Sequence, residues 1–125
     1  MKPIALIVAV FLFFTLFPPT PVQPSAITVT PLSVPASASA GEQLIVRFSV
    51  SGGEGFLYYQ VWLETWYGGQ WHYPGFPGRT FMNSRTFSVS LDVPPGSAEK
   101  VRVGLFVTDN HSNQAEWLSE EIPIE

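Results

Sequence analysis

The run Phe56–Tyr73, FLYYQVWLETWYGGQWHY, holds all four tyrosines and three of the four tryptophans of the chain. Its midpoint is Gly68-Gly69. Adjacent glycines accept the positive φ angles of a two-residue hairpin turn at no steric cost, so the run reads as two antiparallel strands. Closing the turn there sets Tyr67 opposite Gln70, Trp66 opposite Trp71, Thr65 opposite His72 and Glu64 opposite Tyr73. Strand alternation then separates two faces. Leu57, Tyr59, Val61, Leu63, Thr65 and Tyr67 form the core face. Tyr58, Gln60, Trp62, Glu64, Trp66, Trp71 and Tyr73 form the other, where large rings stand among polar groups.

The rest of the chain repeats the two-residue period. Ile27 to Thr30 alternates with threonine outward, and Pro31 and Pro35 suit an edge strand. Leu44, Val46, Phe48 and Val50 share one face of a second strand, after the turn at Gly41-Glu42. Beyond the hairpin, Pro74 to Gly78 forms a loop, with Phe76 pinned rather than floating, and Arg79 to Asn83 offers a short edge strand. Phe87, Val89, Leu91 and Val93 alternate with polar residues. Val101, Val103, Leu105 and Val107 alternate with Arg102, Gly104, Phe106 and Thr108. The last strand runs from about Gln114 to Ile124, with a bulge near Glu120-Glu121, because Trp117 and Ile122 fall on opposite parities. These signals predict an all-β, seven- or eight-stranded antiparallel sandwich over residues 26–125.

Pro35 to Val50, with Ala40-Gly41-Glu42-Gln43 entering an alternating strand, and Val101 to Ile124, with TDNHSNQAEWLSEEIPI, resemble the opening and closing segments of immunoglobulin-like and fibronectin type III-like modules of microbial surface proteins. The resemblance implies an immunoglobulin-like sandwich in which the two hairpin strands share a sheet with the last two long strands. It also implies a surface role, and it supplies no catalytic residues. Phe48 stands where type III modules usually carry tryptophan, the Val101 to Val107 strand has no tyrosine, and cysteine is absent.

Residues 1–17 read as a signal peptide or membrane anchor. Lys2 precedes an apolar run, Ile4 to Phe17, of 14 residues broken only by Thr15. That is signal-peptide length, whereas a spanning helix needs about 20 apolar residues. Residues 18–25 are a proline-rich linker. An exported chain, extracellular or at the cell surface, is the expectation, with membrane contact only through residues 1–17 if they are retained. Without Lys2 the domain carries five basic against ten acidic residues, so nucleic acid is not an expected partner.

Little in the chain suggests reaction chemistry. His72 and His111 lack metal-ligand spacing, and no cofactor or metal is expected. Asp109, Asn110 and Asn113 could surround a calcium ion or shape their own turn through Asx hydrogen bonds, and the second reading is favoured. The carboxylates form no acid/base pair, so the expectation is a protein that is not an enzyme. The expected binding residues are Tyr58, Trp62, Trp66, Trp71, Tyr73 and Phe106, with Trp117 as a further member. Two uses of that face stay open: contact with another protein or a second copy of itself, in assembly or adhesion, and a carbohydrate-binding platform for polysaccharide, with Gln60, Glu64 and Gln70 reaching hydroxyls. A third reading makes Trp62 and Phe106 a small second core under the 74–78 loop.

Overall fold

The computed structural model describes residues 26–75 and 77–125. The leader at 1–17, the linker at 18–25 and Phe76 lie outside the described residues. The described chain is all-β, with nine strands: β1 Thr28–Ser33, β2 Gln43–Ser51, β3 Leu57–Tyr67, β4 Gln70–His72, β5 Thr80–Phe81, β6 Thr86–Asp92, β7 Lys100–Asp109, β8 Gln114–Leu118 and β9 Ile122–Pro123. β5 falls within the short edge strand expected at Arg79 to Asn83, and the division of the last strand into β8 and β9 raises the number to nine.

Two sheets form. One has the order β1-β2-β6; the other runs β4-β3-β7-β8, with β5 also on β3 and β9 also on β7. The named strands pair antiparallel throughout. The hairpin strands therefore share a sheet with the last long strands, as the resemblance implied. Gly68 and Gly69 have φ angles of 64° and 79°, which a two-residue hairpin turn needs at both central positions. Tyr67 faces Gln70, Trp66 faces Trp71 and Thr65 faces His72. The ladder stops at His72, so Tyr73 leaves the strand before it can pair with Glu64.

The core lies between the sheets. Leu44, Val46, Phe48 and Val50 of β2 face Val101, Val103, Leu105 and Val107 of β7, and the four β7 side chains are fully buried. This follows from the period: successive side chains of a strand alternate faces, so one apolar parity builds one core layer. β1 sits at the edge, and its register slips between Pro31 and Ser33, where proline cannot donate to the ladder.

Gly104 faces Leu118, whereas Val101 faces Ile122, so β7 advances three residues while its partner advances four. Ser119 anchors this bulge. Its amide donates to the Val103 carbonyl at 2.9 Å, and its Oγ accepts from the Val103 amide at 2.8 Å. The bulge is where the parity conflict placed it, but its consequence for Trp117 corrects one expectation. Trp117 pairs with Leu105 and turns inward, packing edge-on against Phe48 at 5.0 Å between ring centroids. It does not belong to the outer aromatic face.

Candidate functional site: the outer face of the six-stranded sheet

The even-numbered residues of β3 and β7 point away from the core, and the β3–β7 register fixes their neighbours. Tyr58 faces Thr108, Gln60 faces Phe106, Trp62 faces Gly104, Glu64 faces Arg102 and Trp66 faces Lys100. β8 adds Glu116 beside Phe106 and Leu118 beside Gly104. β4 adds Trp71 beside Trp66, and β5 adds Phe81 beside Tyr58. Tyr58, Trp62, Trp66, Trp71 and Phe106 therefore share one face, and Tyr73 reaches it from off the ladder through its contact with Trp62.

Their environments differ. Trp62 is only 8% exposed. Its indole lies across Gly104, where a Cβ would come within 2.2 Å of the ring. A side chain on β7 would lift the ring off the sheet; glycine lets it lie down. Trp62 Nε1 donates to Glu64 Oε2 at 2.9 Å, and Tyr73 meets the ring edge-on at 5.5 Å. Trp62 is on the outward face, but it is the covered floor of that face rather than a wet ring. The 74–78 loop reaches the same face, where Gln60 Nε2 donates to the Pro77 carbonyl at 2.7 Å.

At the hairpin end, Trp66 and Trp71 meet edge to face, with centroids 5.3 Å apart and an interplanar angle of 70°. Lys100 Nζ sits 4.7 Å from the Trp66 centroid, and the Arg102 guanidinium 4.1 Å from that of Trp71. These are cation–π distances. Arg102 also donates through Nε to Glu64 Oε1 at 3.0 Å, and its Nη2 lies 2.9 Å from the same oxygen. Lys100 pairs with Glu121. At the opposite end, Phe56, Phe81 and Tyr58 form a second ring cluster, with Arg79 over Tyr58 at 5.2 Å. Phe56 is 61% exposed, Tyr73 47% and Leu118 44%.

Sequence reasoning missed Phe56, Phe81 and Leu118, and it missed the cations. Lys100 and Arg102 have the outward parity of β7, which was visible. Which rings they would meet depends on the β3–β7 register, which was not. The polar groups offered to a sugar are largely engaged within the protein: Gln60 holds Pro77, and Glu64 holds Trp62 and Arg102.

Neither histidine is gathered with other ligands. Nε2 of His72 lies 3.0 Å from the Tyr67 carbonyl, and its ring stacks on Tyr67 at 3.5 Å. His111 lies at the other end of β7, beside Asp109. There the Asx reading accounts for the geometry. Asp109 Oδ1 accepts from the amides of His111 and Asn113 at 2.8 and 2.9 Å, and Oδ2 accepts from the Glu54 amide and Asn113 Nδ2 at 2.7 and 2.8 Å. Burial works to raise this carboxyl's pKa, but the Asn113 side-chain amide and the three backbone N–H groups outweigh it. Together they hold the group well below the usual carboxylate range. Among the described residues, no group of three or more His, Cys, Asp or Glu side chains could hold a metal ion.

No protein-family model matches the sequence, and no curated protein sequence matches it. The fold has solved counterparts. It is similar to a superoxide reductase (neelaredoxin) from Ignicoccus hospitalis, with a TM-score of 0.55 and 15% identity over 83% of each chain. It is also similar to a conjugative transposon lipoprotein from Bacteroides eggerthii, with a TM-score of 0.51 and 19% identity over 77% of this chain and 95% of that one. At these identities the likeness is one of fold. It corrects one expectation nonetheless. The sequence reads as that of a protein that is not an enzyme, yet a fold of this kind carries a superoxide reductase, so the architecture gives no ground for excluding catalysis.

Proposed function

We propose that the domain is an immunoglobulin-like recognition module, exported or held at the cell surface, whose outer aromatic face docks another protein chain. The observation that carries this reading is the state of the cations and rings on that face. Lys100 and Arg102 are already neutralised by Glu121 and Glu64 and lie against Trp66 and Trp71. The face is therefore broad, aromatic and nearly charge-balanced, which suits burial under a protein better than attraction of a free ion. A large aromatic ring buries about 150–250 Å² when covered, so a few of these rings could supply the centre of an interface of about 1,600 Å². Against a sugar platform stand the steep ring angles, 70° for Trp66 with Trp71 and 69° for Trp62 with Tyr73, and the internal engagement of Gln60 and Glu64. The fold likeness to a lipoprotein and the apolar run at Ile4 to Phe17 support the export reading.

The test is the double substitution Trp66→Ala with Trp71→Ala. Folding should survive, with a loss of about 1–2 kcal/mol from the cation–π contacts. Association, read by sedimentation over a concentration series and by co-sedimentation with surface proteins, should weaken by about 2 kcal/mol or more. A folded double variant that associates as well as the parent would defeat the docking reading. One that keeps its protein contacts but loses retention on insoluble polysaccharide would select the carbohydrate reading.

A further inference from the structure

We propose that a shallow dish in the middle of the outer face seats the cationic head of a lysine or arginine side chain from the docked protein. The inference rests on the docking reading above and names what that partner must present. The dish has a volume of about 310 Å³ and is lined by Trp62, Glu64, Tyr73, Phe106, Glu116 and Leu118. Three of these side chains are aromatic. Ring faces carry negative electrostatic potential and attract a cation placed within about 6 Å of the centroid.

The carboxylates decide the sign of the ligand. Glu64 is committed to Trp62 Nε1 and to Arg102. Glu116 has no hydrogen-bond or ion-pair partner among the described residues, and it stands beside Phe106 on the neighbouring strand. The uncommitted charge at the dish is thus negative. The cations of the same face are already engaged: Lys100 with Glu121, Arg102 with Glu64 at the rim of the dish, and Arg79 over Tyr58. An incoming anion would meet Glu116 with no free cation beside it. An incoming ammonium or guanidinium would meet a free carboxylate and aromatic walls, while the methylenes of its stem lie along Leu118 and Phe106. The formal charge of −4 favours encounter with basic partners over acidic ones.

The experiment titrates the isotope-labelled protein with Nα-acetyl-lysine methylamide, Nα-acetyl-arginine methylamide and the neutral isostere Nα-acetyl-norleucine methylamide. Resonances of the Trp62 indole N–H and of Phe106 are followed. The two basic probes should give saturable shifts at both positions, and the norleucine probe should not. Glu116→Gln should weaken the basic probes about threefold or more, whereas Glu120→Gln, at another exposed carboxylate, should leave them unchanged. Equal shifts from the norleucine probe, or equal affinities in the two Gln variants, would overturn the proposal. The docking test reads association through Trp66 and Trp71, away from Glu116, so a failure of the cation seat is distinguishable from a failure of the docking reading on which it rests.

Discussion

Trp62 and Gly104 make one structural unit from two strands. The sequence assigns Trp62 to the outward face by parity, and that assignment holds. Its burial could not be read, because it depends on glycine being the residue across the ladder. With any side chain at that position the indole would stand up into solvent. Two substitutions test the unit from both sides. Trp62→Ala should destabilise the domain by about 3 kcal/mol, leaving an empty floor and removing the indole donor from Glu64. Gly104→Ala should cost about 1–3 kcal/mol, because its Cβ would strike the same ring. Denaturant midpoints measure both, and the double variant should lose less than the sum, since each change removes the reason for the other. Additive losses would mean that the ring and the glycine are independent.

Among the elements, the long strands were the most legible in sequence and the connections the least. The alternations in β2 and β6 are unbroken and that in β7 is interrupted only at the buried Gly104, so their core parity could be read directly. Trp117 was harder. Its direction depends on where the extra residue of the last strand sits, and that position is set by the hydrogen bonds of Ser119 to Val103, a contact between strands. The turn after β7 was half legible: the Asx residues were visible, but not that Asp109 also reaches Glu54. That bond ties the β7–β8 turn to the connection between β2 and β3. Its pH dependence follows from the sign of the shift. The folded-state pKa of Asp109 is depressed, so its stabilisation is fully present above the ordinary carboxylate value of about 3.9. It is lost as pH falls through the lower folded value. Denaturant midpoints measured from pH 6 downward should fall in the acid range, and Asp109→Asn, which no longer titrates and places a donor among donors, should start lower and fall less. Parallel profiles would show that other carboxylates govern acid unfolding.

For the whole molecule, the two-sheet architecture was legible because one period runs through nearly every strand. The gathering of five of the six expected aromatic residues on one face was legible for the same reason, whereas Tyr73 reaches it from off the ladder. What lay beyond the sequence was how the rings are shared out: Trp62 to the floor, Trp66 and Trp71 to a cation-bound cluster, and Tyr58 to a separate cluster with Phe56 and Phe81. That distribution leaves the two sheets with different outer faces. The three-stranded sheet exposes isolated apolar side chains such as Ile45, whereas the six-stranded sheet carries exposed Phe56, Phe81, Tyr73 and Leu118 beside half-buried Trp66 and Trp71. Isolated apolar side chains are ordinary on a protein surface, whereas the docking proposal rests on these grouped rings.

The most direct measurement of this difference is photo-crosslinking in the producing cells, with a benzophenone side chain placed at position 71 in one sample and at position 45 in another. The docking account predicts a discrete set of peptide-bearing adducts from position 71 and none above background from position 45. Equal yields from both positions, or adducts at position 71 that carry glycan and no peptide, would contradict it.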